Sequence, residues 1–186
     1  MSDRILVYGV TGSGKTTLAA RISTITGIPW HAVDELTWEP GWVQVPDDEQ
    51  QRRIEVICAG ECWILDTAYA RWLDIPLART ELIVALDFPR WFSLFRLIRR
   101  TVTQAIDHKP ICNGNRESFR HMVSGDSIIV WHFKQFRPMR SRIRGWETDY
   151  STPATIRFTS PRQLERWLAG ATRGLTSSNC SSSQPS

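Results

Sequence analysis

Short apolar runs alternate with stretches of helical spacing from Arg4 to about residue 170. Arg4 to Tyr8 is an apolar run that ends at a glycine-rich turn, the pattern of a buried strand. Leu18, Ile22 and Ile25 then recur at helical spacing, and Gly27-Ile28-Pro29 stops that helix. Ile28 to Val33 predicts a second strand ending at Asp34, and Trp38-Glu39-Pro40-Gly41-Trp42 predicts a turn or loop with two aromatics. Asp47 to Ala59 reads as a helix, with Asp47 and Asp48 well placed near its positive N-terminal end. Trp63 to Leu65 is a third strand ending at Asp66, and Leu82 to Leu86 a fourth ending at Asp87. Pro89 opens a helix over Trp91 to Thr103, in which Phe92, Phe95 and Ile98 are expected to face inward. Residues 104–126 hold turn formers without a long period, which predicts a lid. Ile128 to Phe136 reads as helix, Thr155 to Phe158 as a fifth strand, and Pro161 begins a last helix ending near Gly170. Strands alternating with helices imply an α/β fold, a five-stranded parallel sheet with helices on both faces. The expected unit is one domain over 1–170, followed by a Ser-rich tail over 171–186 with few core formers, expected to be disordered.

Composition narrows the class. A chain of 186 residues with 41% hydrophobic side chains can build one sizeable core, which excludes a wholly disordered or fibrous protein. No apolar run approaches the length of a membrane span, and Ile5 to Tyr8 is too short for a signal-peptide core. Cys58, Cys62, Cys112 and Cys180 lack metal-ligand spacing, as do His31, His108, His121 and His132; a reduced, cytoplasmic setting is expected. Charge is unevenly distributed: residues 1–89 carry 7 Lys/Arg against 13 Asp/Glu, and residues 90–144 carry 12 against 3. A segment that basic calls for phosphate, nucleic acid or solvent beside it.

The decisive motif is Gly9-Val10-Thr11-Gly12-Ser13-Gly14-Lys15-Thr16, which fits G-x-x-x-x-G-K-[ST] at every fixed position. Glycines let the backbone curl so that successive N–H groups face a phosphate, and the following helix adds positive potential. Gly9, Thr11, Gly12, Ser13, Gly14, Lys15, Thr16 and Thr17 are therefore the expected nucleotide-binding residues, with Lys15 reaching the β- and γ-phosphates of ATP and the Thr16 hydroxyl available to Mg²⁺. No Asn is followed by Lys, so the guanine-reading N-K-x-D motif is absent. A small-molecule or nucleotide kinase suits a chain of this size.

Asp34, Asp66 and Asp87 each close a predicted strand, at the sheet edge where ligands gather in open α/β folds. Asp66 follows Trp63-Ile64-Leu65 as a Mg²⁺-holding acid does, and Asp34 can orient an acceptor or accept its proton. Asp87 serves either a site or the cap of the next helix. Most of the tryptophans, Trp63, Trp91, Trp131 and Trp167 among them, are expected in the core or at its rim, whereas Trp38 and Trp42 can stack on an acceptor. Phosphoryl transfer needs donors around the moving charge, and the basic segment offers Arg99 and Arg100 before the lid and Arg116 and Arg120 within it.

Taken together, the phosphate loop, Trp38-x-Pro40-Gly41-Trp42, Trp63-Ile64-Leu65-Asp66 with Tyr69, and Leu86-Asp87-Phe88-Pro89-Arg90-Trp91 resemble the adenylate-kinase-related P-loop proteins labelled DNA topology modulation proteins. Asn113 to Ser118 is similar to the lid of one branch of that group, and the resemblance covers roughly residues 4–170. It implies a nucleoside-monophosphate-kinase-like core, ATP and Mg²⁺, and an adenine ring passing the Ser160-Pro161-Arg162 turn. Adenylate kinases hold AMP with arginines after the second and third strands. Here Asp34-Glu35-Leu36-Thr37-Trp38 has none, and only Arg71 in Thr67-Ala68-Tyr69-Ala70-Arg71 can stand in. An acidic, tryptophan-bearing pocket suits a hydroxyl better than a phosphate. The reading is thus an ATP- and Mg²⁺-dependent phosphotransferase. Lys15, Asp34, Asp66, Arg99 and Arg116 carry the chemistry, Thr16 and Asp66 hold the metal, and Asp34, Trp38, Trp42, Tyr69 and Arg71 bind a nucleoside, nucleotide or similar metabolite. The alternatives are a nucleotide-regulated nucleic-acid-associated protein, for which no helix-turn-helix, zinc-finger or RNA-binding signature exists, and a bare NTPase.

Overall fold

The computed structural model describes residues 2–41, 43–67, 71–107 and 128–174. In chain order the elements are β1 (Arg4–Gly9), α1 (Lys15–Thr26), β2 (Trp30–Ala32), α2 (Val33–Thr37), β3 (Trp38–Glu39), β4 (Val43–Gln44), α3 (Asp47–Ala59), β5 (Trp63–Thr67), α4 (Asp74–Leu77), β6 (Leu82–Leu86), α5 (Arg90–Asp107), α6 (Ile128–Thr148), β7 (Ala154–Phe158) and α7 (Pro161–Gly174). Five strands form one parallel sheet in the order β2-β5-β1-β6-β7. Its central strand, β1, is buried from Ile5 to Gly9 and carries no charge after Arg4, because both of its faces are covered. Leu6 and Tyr8 point to the side of α2, α3 and α6, whereas Ile5 and Val7 point to the side of α1 and α7. β6 repeats the alternation, with Ile83 and Ala85 on the first side and Val84 and Leu86 on the second. Each fully buried Leu or Ile contributes on the order of 1.5–3 kcal/mol.

The expected fold is present, with local corrections. The second strand is shorter than Ile28–Val33, because the chain turns into α2 at Val33 and carries Asp34 in the first turn of a helix. The Trp38 segment holds the expected turn, at Pro40-Gly41, but Trp38 and Glu39 themselves form β3, which pairs antiparallel with β4 across it. On α5 the inward row is Ser93, Leu97 and Thr101, all buried, while Phe95 is 63% and Ile98 40% exposed, so the expected phase of that helix is rotated. Trp63 is fully buried as expected, but Trp91 is 71% exposed and Trp131 40%, which removes both from the core. α5 runs to Asp107, α6 runs on from Phe136 through Pro138 to Thr148, and α7 reaches Gly174. The rest of the expected lid, from 108 to 126, and the tail from 175 lie outside the described residues. Among the described residues no helix is long and apolar enough to cross a membrane. Cys58 is a free thiol whose pKa burial pushes up to about 12, and Cys62 is disulfide-bonded, which departs from the reduced state expected of the cysteines.

Asp87 neither caps α5 nor stands open to a ligand. Its carboxylate is almost fully buried at the end of β6 and is ion-paired to Arg140 (2.8 Å), Arg157 (3.0 Å) and Arg144 (3.6 Å). Arg157 also donates to Glu147 at 2.7 Å, so one cluster joins β6, β7 and α6. Removing the one carboxylate forfeits several charge-assisted contacts but leaves arginines that can reach water. Asp87→Ala is expected to lower unfolding free energy by about 2 kcal/mol in urea denaturation; an unchanged midpoint would show that the cluster does not hold α6 in place.

Candidate active site

The segment Gly9 to Thr16 leaves the C-terminal end of β1 and curls into α1. The Ser13 N–H donates to the Val10 carbonyl at 3.0 Å, and Gly12 and Gly14 have φ of 83° and 100°, values that ordinary side chains avoid. Gly12 also meets a close approach: a Cβ there would lie 2.4 Å from the Ser93 carbonyl oxygen and 2.9 Å from the Leu97 Cβ. The small, buried row of α5 therefore rests directly on the loop. No side chain caps α1, whose N-cap is Gly14, so the positive helix end faces the loop's concavity. The Ser13 hydroxyl is buried without a partner, and Thr16 and Thr17 are exposed on the first turn. Gly12→Ala is expected to cost about 3 kcal/mol, combining a disfavoured φ with displacement of α5; a thermal melt matching the wild type would refute that contact.

Charges converge on the same edge. The Lys15 ammonium donates to the Val10 carbonyl at 3.3 Å. Burial lowers its pKa, the fields of Asp34 and Asp66 oppose that shift, and the Arg100 charge adds to it. Asp66 is buried on β5, accepting from the Val33 N–H at 3.3 Å and from the Thr16 hydroxyl. Burial raises its pKa; the Thr16 hydroxyl and Lys15 oppose the rise, and the Asp34 charge reinforces it. Asp34, Asp66, Lys15 and Thr16 thus form one electrostatic cluster, delivered by α2, β5 and α1. Its donors suit Mg²⁺. A hydroxyl and a carboxylate are hard oxygen ligands, and Mg²⁺ is usually held by one or two such groups with water and phosphate. Among the described residues no group of three His, Cys, Asp or Glu makes an all-protein cage. Asp66→Asn keeps the acceptor for Val33 and Thr16 and relieves a buried charge. Its melting point should stay within the equivalent of about 1 kcal/mol of wild type, and a large loss would mean that Asp66 is chiefly structural.

Of the arginines on α5, Arg96 and Arg100 stand nearest the loop. A Cβ at Gly14 would lie 3.1 Å from an Arg96 guanidinium nitrogen, and Arg100 acts on Lys15. Arg99 is exposed on the same helix, Arg162 is exposed in the first turn of α7, and Arg116 and Arg120 lie outside the described residues. Sequence reasoning set His132 aside for want of metal-ligand spacing. It is fully buried on α6, with Nδ1 3.0 Å from the Thr11 carbonyl. Burial lowers its pKa; the Thr11 carbonyl opposes this, and Arg90 and Lys15 add to it.

At the C-terminal end of α2, whose first turn carries Asp34, lies a pocket of about 300 Å³ lined by Thr37, Trp38, Gln44, Gln50, Arg71, Trp72 and Trp131. Trp38 and Arg71 were legible in the sequence; Trp42 and Tyr69 lie outside the described residues. Gln50 is buried, donating to the Val45 carbonyl and accepting from the Trp72 indole N–H at 3.1 Å, which fixes that ring at the pocket wall. Arg71 is ion-paired with Asp47 and packs over Trp72 at 5.9 Å. Trp72 and Gln50 were not anticipated, since neither belongs to a motif.

A strand–loop–helix phosphate cradle on the central strand, with a carboxylate at the end of the adjacent strand, decides the architecture. The fold is that of a P-loop NTPase. Solved structures agree: the chain aligns over 92% of its length with 94% of a gluconokinase from Sinorhizobium meliloti 1021, at 17% identity and a TM-score of 0.50. It aligns over 94% with 99% of shikimate kinases from Aquifex aeolicus vf5 (17% identity, TM-score 0.50) and Bacteroides thetaiotaomicron (14%, 0.54). At these identities the likeness is one of P-loop fold. No family model matches the chain, nor does any curated protein.

Proposed function

We propose that this P-loop protein is an ATP- and Mg²⁺-dependent phosphotransferase acting on a small, hydroxyl-bearing acceptor. The observation that carries the reading is the Lys15–Thr16–Asp66–Asp34 cluster, at the mouth of an uncapped helix and joined by α2 to a tryptophan-lined pocket. Bound MgATP supplies the phosphoryl group and neutralises its charge. Loop N–H groups and Lys15 hold the phosphates; Thr16 and Asp66 are the residues to hold the metal. Asp34, exposed on the same edge, orients the acceptor hydroxyl and takes its proton. Arg96 and Arg100, together with Arg99 and Arg116 from the basic segment, are the donors for charge on the transferring group. Arg162 lies in the turn expected to pass the adenine ring. Trp38 and Trp72 stack on the acceptor, with Arg71, Trp42 and Tyr69 completing its surroundings.

A pocket of about 300 Å³ is at the small end of ligand sites. Its one described cation, Arg71, is already paired with Asp47, which favours a neutral hydroxyl compound, such as a sugar, polyol or nucleoside, over a monophosphate. The likeness in fold to a gluconokinase and to shikimate kinases, enzymes named for small acceptors, supports the same reading. The basic segment speaks less for nucleic acid than its charge suggests. Arg140 and Arg144 pair with Asp87, Arg142 donates to Tyr8, and Arg90 packs over Phe136.

The test is transfer from γ-labelled ATP to a panel of sugars, polyols, nucleosides and nucleoside monophosphates. A labelled product is expected from a neutral hydroxyl compound, and Lys15→Ala should reduce its formation at least about 100-fold with the fold intact. Turnover that survives this substitution would remove the central claim.

A further inference from the structure

Two consecutive residues of α6 reach two different parts of this site. Trp131 lines the pocket. His132 is fully buried against the loop, its Nδ1 3.0 Å from the Thr11 carbonyl. A carbonyl can only accept, so Nδ1 carries the proton and donates. Nε2 is left buried with no partner, in a ring cage that includes Phe133 and Phe136 at centroid distances of 6.1 and 5.7 Å. An apolar ring would fill that space without an orphaned nitrogen, so the bond to Thr11 is the group's one polar return.

That bond acts on more than an oxygen. The Thr11 carbonyl and the Gly12 N–H belong to one planar trans peptide and point in opposite directions. Holding the carbonyl therefore fixes the direction of the Gly12 N–H, a donor of the loop. On its other side the same peptide is backed by α5, where the Ser93 carbonyl leaves no room for a side chain at Gly12. A phosphate that turns this peptide must push either on α5 or on His132.

We infer that Trp131-His132 couples the phosphate loop to the acceptor pocket: His132 is a positioning residue that fixes the Thr11–Gly12 peptide, and α6 passes any rotation of that peptide to Trp131 one residue away. The inference rests on the phosphotransferase reading in that the loop takes nucleotide and the pocket takes the acceptor. Because coupling is reciprocal, an acceptor seated against Trp131 tightens nucleotide binding by the factor that nucleotide tightens acceptor binding.

The experiment titrates the full chain with Mg·ADP and follows tryptophan emission in the wild type and in Trp131→Phe, the difference being the response of Trp131 itself. Trp131 is expected to respond. His132→Phe should erase the response and weaken Mg·ADP about fivefold, the loss of one neutral hydrogen bond. His132→Asn, whose amide nitrogen can occupy the place of Nδ1, should restore both. A silent Trp131 on binding, or the same response in His132→Phe, overturns the coupling alone. Absence of Mg·ADP binding to the wild type overturns the phosphotransferase reading as well. Should His132→Phe fail to fold, the wild-type imidazole ¹⁵N signals of His132 decide: they should report an Nδ1–H tautomer and shift on Mg·ADP addition, and unmoved signals refute the coupling.

Discussion

A lysine ammonium withdrawn from water has to be balanced by nearby negative charge, and this requirement organises one end of the molecule. Lys15 begins α1 directly after the loop that leaves β1, Asp66 stands on β5, and Asp34 follows β2 at the start of α2. Those strands are neighbours in the sheet, in the order β2-β5-β1. Each thus delivers one member of the cluster to the same edge, and the parallel register that packs the core also assembles the charges. Two carboxylates against one lysine leave a local excess of negative charge, partly relieved by Arg100.

The loop and the pocket are built on different physics. Around the loop the groups are backbone N–H, hydroxyl and charge, held by contacts so close that Gly12 has no alternative. The pocket is walled by the indoles of Trp38, Trp72 and Trp131, and the Trp72 ring is fixed from behind. Gln50 donates one amide N–H to the Val45 carbonyl and accepts from the Trp72 indole, so it shapes the pocket wall as well as lining it. α6 spans both regions and is anchored at its far end by Asp87, which makes that helix the mechanical link between them.

Much of this was readable in the sequence because it is local. The loop motif, the ends of α3 and β6, and the acids Asp34 and Asp66 follow from spacing and turn chemistry within a dozen residues. What was misread is non-local. The inward face of α5 was assigned to Phe92, Phe95 and Ile98 on hydrophobicity, yet this helix packs on a backbone loop as well as on side chains: the Ser93 carbonyl and the Leu97 Cβ lie against Gly12, and of the three expected residues only Phe92 packs, half-buried, against the core. Phe95 and Ile98 turn outward. The second half of α6 was hidden by Pro138 and by arginines that read as a solvated face; Arg140, Arg142 and Arg144 instead turn toward Asp87 and Tyr8. His132 escaped because a histidine was weighed only as a metal ligand, and nothing in its neighbours announces a bond to a carbonyl more than a hundred residues earlier.

The strand order has a consequence for synthesis. β1 pairs with β5 and β6, and β2 pairs with β5, so no pair of the main sheet can form within the stretch that precedes Trp63. While the chain emerges from a ribosome, β1 stays without a strand partner until β5 (Trp63–Thr67) has been made. Long-range parallel pairing is slow and leaves such segments open to misassociation. The loop after β1 is thus translated well before α5, the helix that closes over Gly12.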